Sequence, residues 1–383
     1  MTCVRTAIVV GGGIGGLCAA IALRRRGVAA TVYERAEELG DVGAGLVLAA
    51  NAIRSLRRLG LGEAAVAAGA AVERAQIRRE DGRVLAAIDM RREEARTGAP
   101  TIAIHRAALH RVLRAALPAE AVRLGAECTG VESGESGVVA RFADGREAHG
   151  DLLIGADGLR SAVRRQLFPG IEPRDAGYSA WRGAVASTDA TALGITSETW
   201  GRGFRFGIVR VDEARIYWFA TANSAPGRRL EPESRKRHLL ERFGDWHAPI
   251  RALLEATPAE AILHNDIADL PPMPRWSAGR IALLGDAAHA TTPNLGQGAC
   301  MAIESAEVLA ACLGENAAVE AALLAYERRR RPRTTFVTLQ SRRIGRLAQW
   351  SNPFACELRN LLVRLLSGDK MERRLAEFLA ADA

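Results

Sequence analysis

A short apolar run, residues 4–10, passes directly into GGGIGG at Gly11 to Gly16 and then into helix-forming residues that end near Arg26 and Gly27. A second strand pattern, Ala29 to Tyr33, follows. This order of strand, glycine turn, helix and strand confines the chain's start to a parallel α/β unit of the dinucleotide-binding kind. Gly11 permits the tight turn, Gly13 lets backbone approach a pyrophosphate, and Gly16 lets the helix lie close on the strand. The amides and positive dipole at the helix N-terminus suit an anion. Glu34 falls 18 residues beyond Gly16, where a carboxylate accepts hydrogen bonds from the ribose of an adenosine. Residues 1–35 leave NAD and FAD equally open.

The rest of the chain reads as an ordinary globular protein. Of its 383 residues 48% are hydrophobic and 25% charged, which excludes disorder and collagen. At roughly 100–200 residues per domain, that length predicts two or three domains. The longest small or apolar run, Ala64 to Val72, is far short of the roughly 20 residues a spanning helix needs. Glycines interrupt the N-terminal apolar run too early for a signal peptide, so we expect no membrane span and a cytoplasmic protein. The six cysteines are scattered, without a Cys-x-x-Cys pair, and read as isolated buried thiols. The net charge of +8 is almost wholly arginine, Lys236 and Lys370 being the only lysines. The basic run Arg328 to Arg331 lies in a helical pattern without interleaved aromatics, so it reads as a solvated face and not as a nucleic-acid footprint. His105 and His110 point apart on a helix and no ligand spacing joins them, so no metal is expected.

Further along, Asn51 is read as a helix N-cap. Asp81–Gly82 marks a hairpin between residues 73–79 and 83–89, and Asp144–Gly145 a second tight turn. Residues 178–222 change to long strands rich in Trp, Phe, Ile and Val, read as an antiparallel sheet with a turn at Asp212–Glu213. Helices are expected over 232–243 and 247–256. Residues 317–345 and 354–381 are mostly helical, with Pro332 and Pro353 as kinks or breaks.

Three signals stand in order: GGGIGG with Glu34, GADGLRSAVR from Gly155 to Arg164, and GDAAHATTPNLGQG from Gly285 to Gly298. Together they resemble the class A FAD-dependent aromatic hydroxylases, the para-hydroxybenzoate and salicylate hydroxylase-like monooxygenases, over roughly residues 5–345, with some likeness to the urate hydroxylase branch. The resemblance implies an α/β fold: a Rossmann-like FAD-binding domain (1–72, 101–176 and 268–330), a discontinuous antiparallel β-sheet substrate domain (73–100 and 177–267) and a C-terminal helical segment (331–383). It implies that FAD is held by Gly11, Gly13, Gly15, Gly16, Glu34, Arg35, Gly45, Arg106, Asp157, Asp286, Pro293, Gly296, Gln297 and Gly298. Within that set Arg106 contacts the phosphates, Arg164 supports Asp157, Asp286 accepts from the ribityl chain, and Gly43 to Gly45 flank the flavin ring. His289 is read as a structural hydrogen-bonder.

A single dinucleotide fingerprint implies that NAD(P)H is met only transiently. The family's chemistry is then NAD(P)H reduction of FAD, O₂ addition to give a C4a-hydroperoxyflavin, and transfer of one oxygen to an aromatic, heteroaromatic or other electron-rich small molecule. Arg205 and Tyr217 match positions that hold substrate in the urate-hydroxylase-like branch, Arg205 to stabilise an anionic substrate and Tyr217 to orient it or relay a proton. That branch carries an aspartate where this chain has Asn294, which speaks against urate itself. An FAD-dependent oxidoreductase without oxygen transfer, and a non-enzymatic nucleotide-binding sensor, are the alternatives; a halogenase would need a catalytic lysine and a Trp-x-Trp pair not found here. The protein is expected to be a monomer or homodimer.

Overall fold

The computed structural model describes residues 4–38, 44–187, 194–227, 229–366 and 377–379. Strand Thr6–Val10 takes a central place in a six-stranded sheet because almost every side chain it carries is apolar and buried. Ala29–Tyr33 pairs parallel on one side and Leu152–Gly155 parallel on the other. Ile281–Leu283 and Val122–Arg123 extend the sheet in parallel, and Ser277–Ala278 closes one edge antiparallel. The chain thus leaves its first strand in two directions. The crevice at the carboxyl ends of Thr6–Val10 and Leu152–Gly155 is where open α/β sheets bind ligands.

Helix Ile14–Arg24 is buried almost all round, between this sheet and helix Gly298–Glu315. Small residues, Gly15 against Ala302 and Leu284, allow that close approach. Five described cysteines, Cys18, Cys128, Cys300, Cys312 and Cys356, are free and buried, and burial pushes the Cys18 and Cys300 thiols up to about 12.

A second, seven-stranded sheet runs in the order Leu263–Asp269, Arg174–Ala186, Arg215–Asn223, Phe204–Arg210, Ile195–Trp200, Arg74–Arg79 and Val84–Asp89. Alternation along its strands divides the side chains between two faces. Trp181, Phe206, Ile208, Trp218 and Ala220 form a core with Leu239, Phe243, Ile250 and Leu254 of helices Pro232–Phe243 and Ile250–Ala256. The opposite face carries Arg182, Arg205, Val209, Tyr217, Phe219 and Thr221 and turns toward the first sheet's crevice. One expectation is corrected here: the sheet is not wholly antiparallel, because Ile195–Trp200 pairs parallel with Arg74–Arg79. That segment comes from a distant part of the chain, so no hairpin fixes its direction.

Three local expectations also differ. Asn51 caps no helix; Ala49 takes that position before Ala50–Arg58, and Asn51 is buried in the first turn, donating to Gln297 Oε1 at 3.0 Å and Glu304 Oε1 at 2.5 Å. Pro332 neither breaks nor ends the 30-residue helix Val319–Ala348. Its neighbours are held from outside, Arg330 and Arg333 by Glu304, so the loss of one backbone hydrogen bond is tolerated. The basic run is only partly solvated: Arg328 and Arg329 are exposed, but Arg330 is fully buried against Glu304 at 2.7 Å. Helical period places it on the same inward face as Tyr326 and Thr334.

Helix Pro353–Leu366 buries Cys356, Arg359 and Asn360. Arg359 donates to Gly201 O and Ala348 O at 3.0 Å each, fastening the C-terminal helices to the second sheet. No helix among the described residues is long and apolar enough to cross a membrane.

His289 gives the fold a specific acid sensitivity. It is buried, its Nε2 lies 3.1 Å from Ser305 Oγ, and burial, with Arg330 adding to it, lowers its pKa from 6.5 to about 3. The neutral ring is the folded form, so stability from this group is complete above about pH 6.5 and is lost as pH falls toward 3. The slope is up to about 1.4 kcal/mol per pH unit. Urea midpoints measured from pH 7 to 4 should therefore fall more steeply for the native protein than for His289→Gln; equal slopes would remove His289 as a contributor.

Candidate active site

Two cavities of about 490 and 360 Å³ meet at Gly13, Arg106, Ala156 and Gly158. The outer one is lined by Gly11, Gly12, Gly13, Glu34, Arg35, Arg106, His110 and Asp157. Gly11 has φ +106°, and a Cβ there would lie 2.4 Å from Ala156 O; a Cβ on Gly16 would lie 1.9 Å from Gly11 O. Both glycines are thus demanded by chain packing. Gly13 differs: a Cβ on it would meet nothing within 4 Å, because its open side faces the cavity.

Glu34 accepts from Gly12 N at 2.6 Å and Ala36 N at 2.9 Å, so it shapes the glycine loop as well as facing the cavity. Asp157 is more committed than expected. It accepts from Ser161 Oγ at 2.5 Å and Ala162 N at 2.7 Å, capping the start of helix Ala162–Leu167. Arg164 supports Asp157 through its charge and not through a hydrogen bond; it is buried and donates to Leu159 O and Ala287 O, tying this loop to the one that carries Asp286.

The inner cavity is lined by Gly13, Gly15, Gly45, Arg106, Asp286, Pro293, Gly296 and Gly298 on the first sheet's side. Asp286 begins the short helix Asp286–His289; surrounding protein raises its pKa and the nearby Arg106 charge opposes that rise. Gly298 opens the 18-residue helix Gly298–Glu315, whose positive end therefore faces the cavity. The Gln297 side chain is turned away from it and holds Asn51. Gly45 is required by a close approach, since a Cβ there would lie 2.6 Å from the Tyr217 ring. Gly43, expected beside the flavin ring, lies outside the described residues.

The residues present fit FAD. An open glycine face and a helix N-terminus would meet the pyrophosphate, with Arg106 beside it at the joint of the cavities; Asp286 offers an acceptor on the wall of the inner cavity, and a second helix N-terminus faces that chamber, where the ring would sit. Glu34→Ala should weaken FAD retention by about 10–100-fold, since a charged acceptor of the loop amide is lost. Fluorescence titration of the apoprotein with FAD measures this, and unchanged affinity would assign Glu34 to the loop alone.

The second sheet forms the far wall. Arg205, 2% exposed, donates from Nε to Gln349 Oε1 at 2.8 Å and from Nη1 to Glu198 Oε1 at 2.9 Å. Its Nη2 is buried with no hydrogen-bond partner in the protein, and the side chain lines the cavity. The guanidinium lies 5.3 Å from the Tyr178 ring centre, and Tyr178 donates to Asn294 Oδ1 at 3.2 Å. Asn294 in turn donates to Thr292 Oγ1 and Ser341 O, both at 2.9 Å, so its amide is fully engaged. Burial pushes Tyr217 up to about 12, with Arg182 pulling the other way. At neutral pH Tyr217 keeps its proton and can donate a hydrogen bond.

Arg205 and Tyr217 share a face because their partners across the sheet, Thr221 and Val209, keep the register even. Sequence reasoning missed Glu198, Gln349, Tyr178 and Arg182. Only Glu198 carried a signal, a lone carboxylate in a strand otherwise free of charge.

An FAD binding domain family matches residues 4–341. The aurachin C monooxygenase/isomerase of Stigmatella aurantiaca is 45% identical, over 96% of each chain. A 2-heptyl-3-hydroxy-4(1H)-quinolone synthase of Pseudomonas aeruginosa is 32% identical, also over 96% of each. The solved structure of Klebsiella pneumoniae HpxO complexed with FAD and uric acid superposes with a TM-score of 0.92 at 30% identity, covering 98% of this chain and 96% of that one.

Proposed function

The chain belongs to the FAD binding domain family and is an FAD-dependent monooxygenase, and from that premise we propose that it oxygenates a planar heteroaromatic substrate bearing a ring carbonyl, held between Arg205 and Tyr217. The observation that carries this reading is Arg205 itself, a buried cation whose side chain lines the cavity and whose Nη2 has no hydrogen-bond partner in the protein, because a guanidinium with spare donor capacity at a cavity suits an acceptor on the ligand. The names of the quinolone-forming and urate-binding relatives, all concerned with carbonyl-bearing heteroaromatics, support the same class.

When bound, FAD supplies the redox chemistry, accepting electrons from NAD(P)H and activating O₂ for transfer of one oxygen atom. The chain's own residues do the rest. Gly13, Arg106 and the two helix N-termini would hold the anionic parts of the cofactor. Arg205 fixes a substrate oxygen, and Tyr217, protonated at neutral pH, orients the ring by donating a hydrogen bond. Phe219, Val209 and Leu46 cover the ring with apolar surface and exclude water. With one dinucleotide cleft among the described residues, NAD(P)H is taken up as a passing co-substrate.

The test is NAD(P)H consumption over a panel of quinolones, purines and hydroxybenzoates, with and without O₂, followed by product mass. Substrate-dependent, O₂-dependent turnover with a gain of one oxygen is expected. Substrate reduction without O₂ would instead make the protein a dehydrogenase or reductase.

A further inference from the structure

The arginine that meets the substrate is not a free cation. Glu198 Oε1 accepts from Arg205 Nη1 at 2.9 Å and from Trp200 Nε1 at the same distance, and Gln349 Oε1 accepts from Arg205 Nε. Glu198 is about a quarter exposed, and it lines the same cavity as Arg205. Two things follow from this arrangement. The guanidinium is held in place through Nε and Nη1, and the charge it presents to the cavity is already balanced by a carboxylate on the wall beside it.

We propose that Glu198 is a specificity-determining, positioning residue: by pairing with Arg205 it makes the site select a neutral carbonyl oxygen and reject a carboxylate at that ring position. The inference rests on the reading of Arg205 as a substrate contact. A carbonyl oxygen accepts one hydrogen bond from the guanidinium and leaves the ion pair intact. A ligand carboxylate would compete with Glu198 for the same guanidinium and place a second negative charge next to the first, in a partly desolvated cavity where like charges repel more strongly than in water. This departs from the sequence-based expectation that Arg205 stabilises an anionic substrate. Arg106 and Arg182 also line the cavity, but they are common to both ligands and cannot produce a preference that depends on Glu198.

The experiment uses the FAD-loaded full chain and two ring-matched probes, 4(1H)-quinolone and quinoline-4-carboxylate, with binding read by quenching of tryptophan fluorescence. The native protein should bind the quinolone at least tenfold more tightly than the carboxylate. In Glu198→Gln, which keeps shape and an acceptor for Trp200, carboxylate binding should strengthen at least tenfold while quinolone binding changes less than threefold. Adding Arg205→Gln should abolish that gain, which a merely structural Glu198 would not do. An unchanged ratio in Glu198→Gln, or a native preference for the carboxylate, overturns the proposal while leaving the heteroaromatic reading standing. Failure of the native protein to bind either probe, with no turnover on any carbonyl-bearing ring, overturns both. Should Glu198→Gln not retain FAD, Glu198→Asp serves, with the neutral preference expected to persist and its reversal counting against the idea.

Discussion

Glu304→Ala is expected to cost about 3–5 kcal/mol of stability, a large share of the roughly 5–15 kcal/mol that holds a domain together. Glu304 is 2% exposed and Arg330 not at all, their charges 2.7 Å apart. Arg333 approaches the same carboxylate at 3.1 Å, and Asn51 donates to it at 2.5 Å. Removing the carboxylate leaves Arg330 charged, buried and unable to reach water, whereas Arg333, at 12% exposed, can partly recover hydration. The damage should reach the cofactor, because Asn51 also grips Gln297, the residue before the helix whose N-terminus faces the inner cavity. Urea unfolding and FAD retention should fall together. A paired Glu304→Leu, Arg330→Met replacement should lose clearly less, since no stranded charge remains. A single variant that loses under 1 kcal/mol would show that water or rearrangement relieves Arg330.

How far the sequence shows these features depends on the distance over which each is determined. The fingerprint is legible because what it needs lies within a short stretch: Gly11 and Gly16 must be glycine for reasons of local packing, and the Glu34 bond to Gly12 spans 22 residues. The hairpin at Asp81–Gly82 is legible for the same reason, a left-handed turn residue between two alternating strands. Asn51 misleads because its residue type favours a cap, while the bonds it makes are to residues 246 and 253 positions away. Nothing local announces such partners. Arg330 misleads in the same manner, since a run of four arginines looks solvated until the helix phase and the carboxylate on a neighbouring helix are known. Gln349 is the extreme case. It closes a helix, yet its side chain fixes a strand arginine 144 residues earlier. The third dimension supplies these roles, and they are the ones that tune the substrate wall.

Arg205→Ala is expected to lower kcat/KM for the true substrate by at least about 30-fold, with FAD still bound. Truncating one partner of a buried, hydrogen-bonded charge pair costs about 2–5 kcal/mol, and each 1.4 kcal/mol is about tenfold. Part of that loss is the substrate's missing donor. The rest is the Glu198 carboxylate, left facing the cavity without its counter-charge and repelling electron-rich rings. Cofactor retention should be untouched, because Arg205 sits on the second sheet, across the inner cavity from the glycine loop and helix N-termini assigned to FAD. Arg205→Lys should recover only a fraction: an ammonium keeps the charge but cannot bridge Gln349 and Glu198 and still offer a fixed third donor. Steady-state NAD(P)H oxidation with and without substrate, alongside the flavin absorbance of the purified variants, separates the outcomes. Lost substrate stimulation with full flavin content supports the assignment. Lost flavin would make Arg205 part of the scaffold, and unchanged stimulation would remove it from the site.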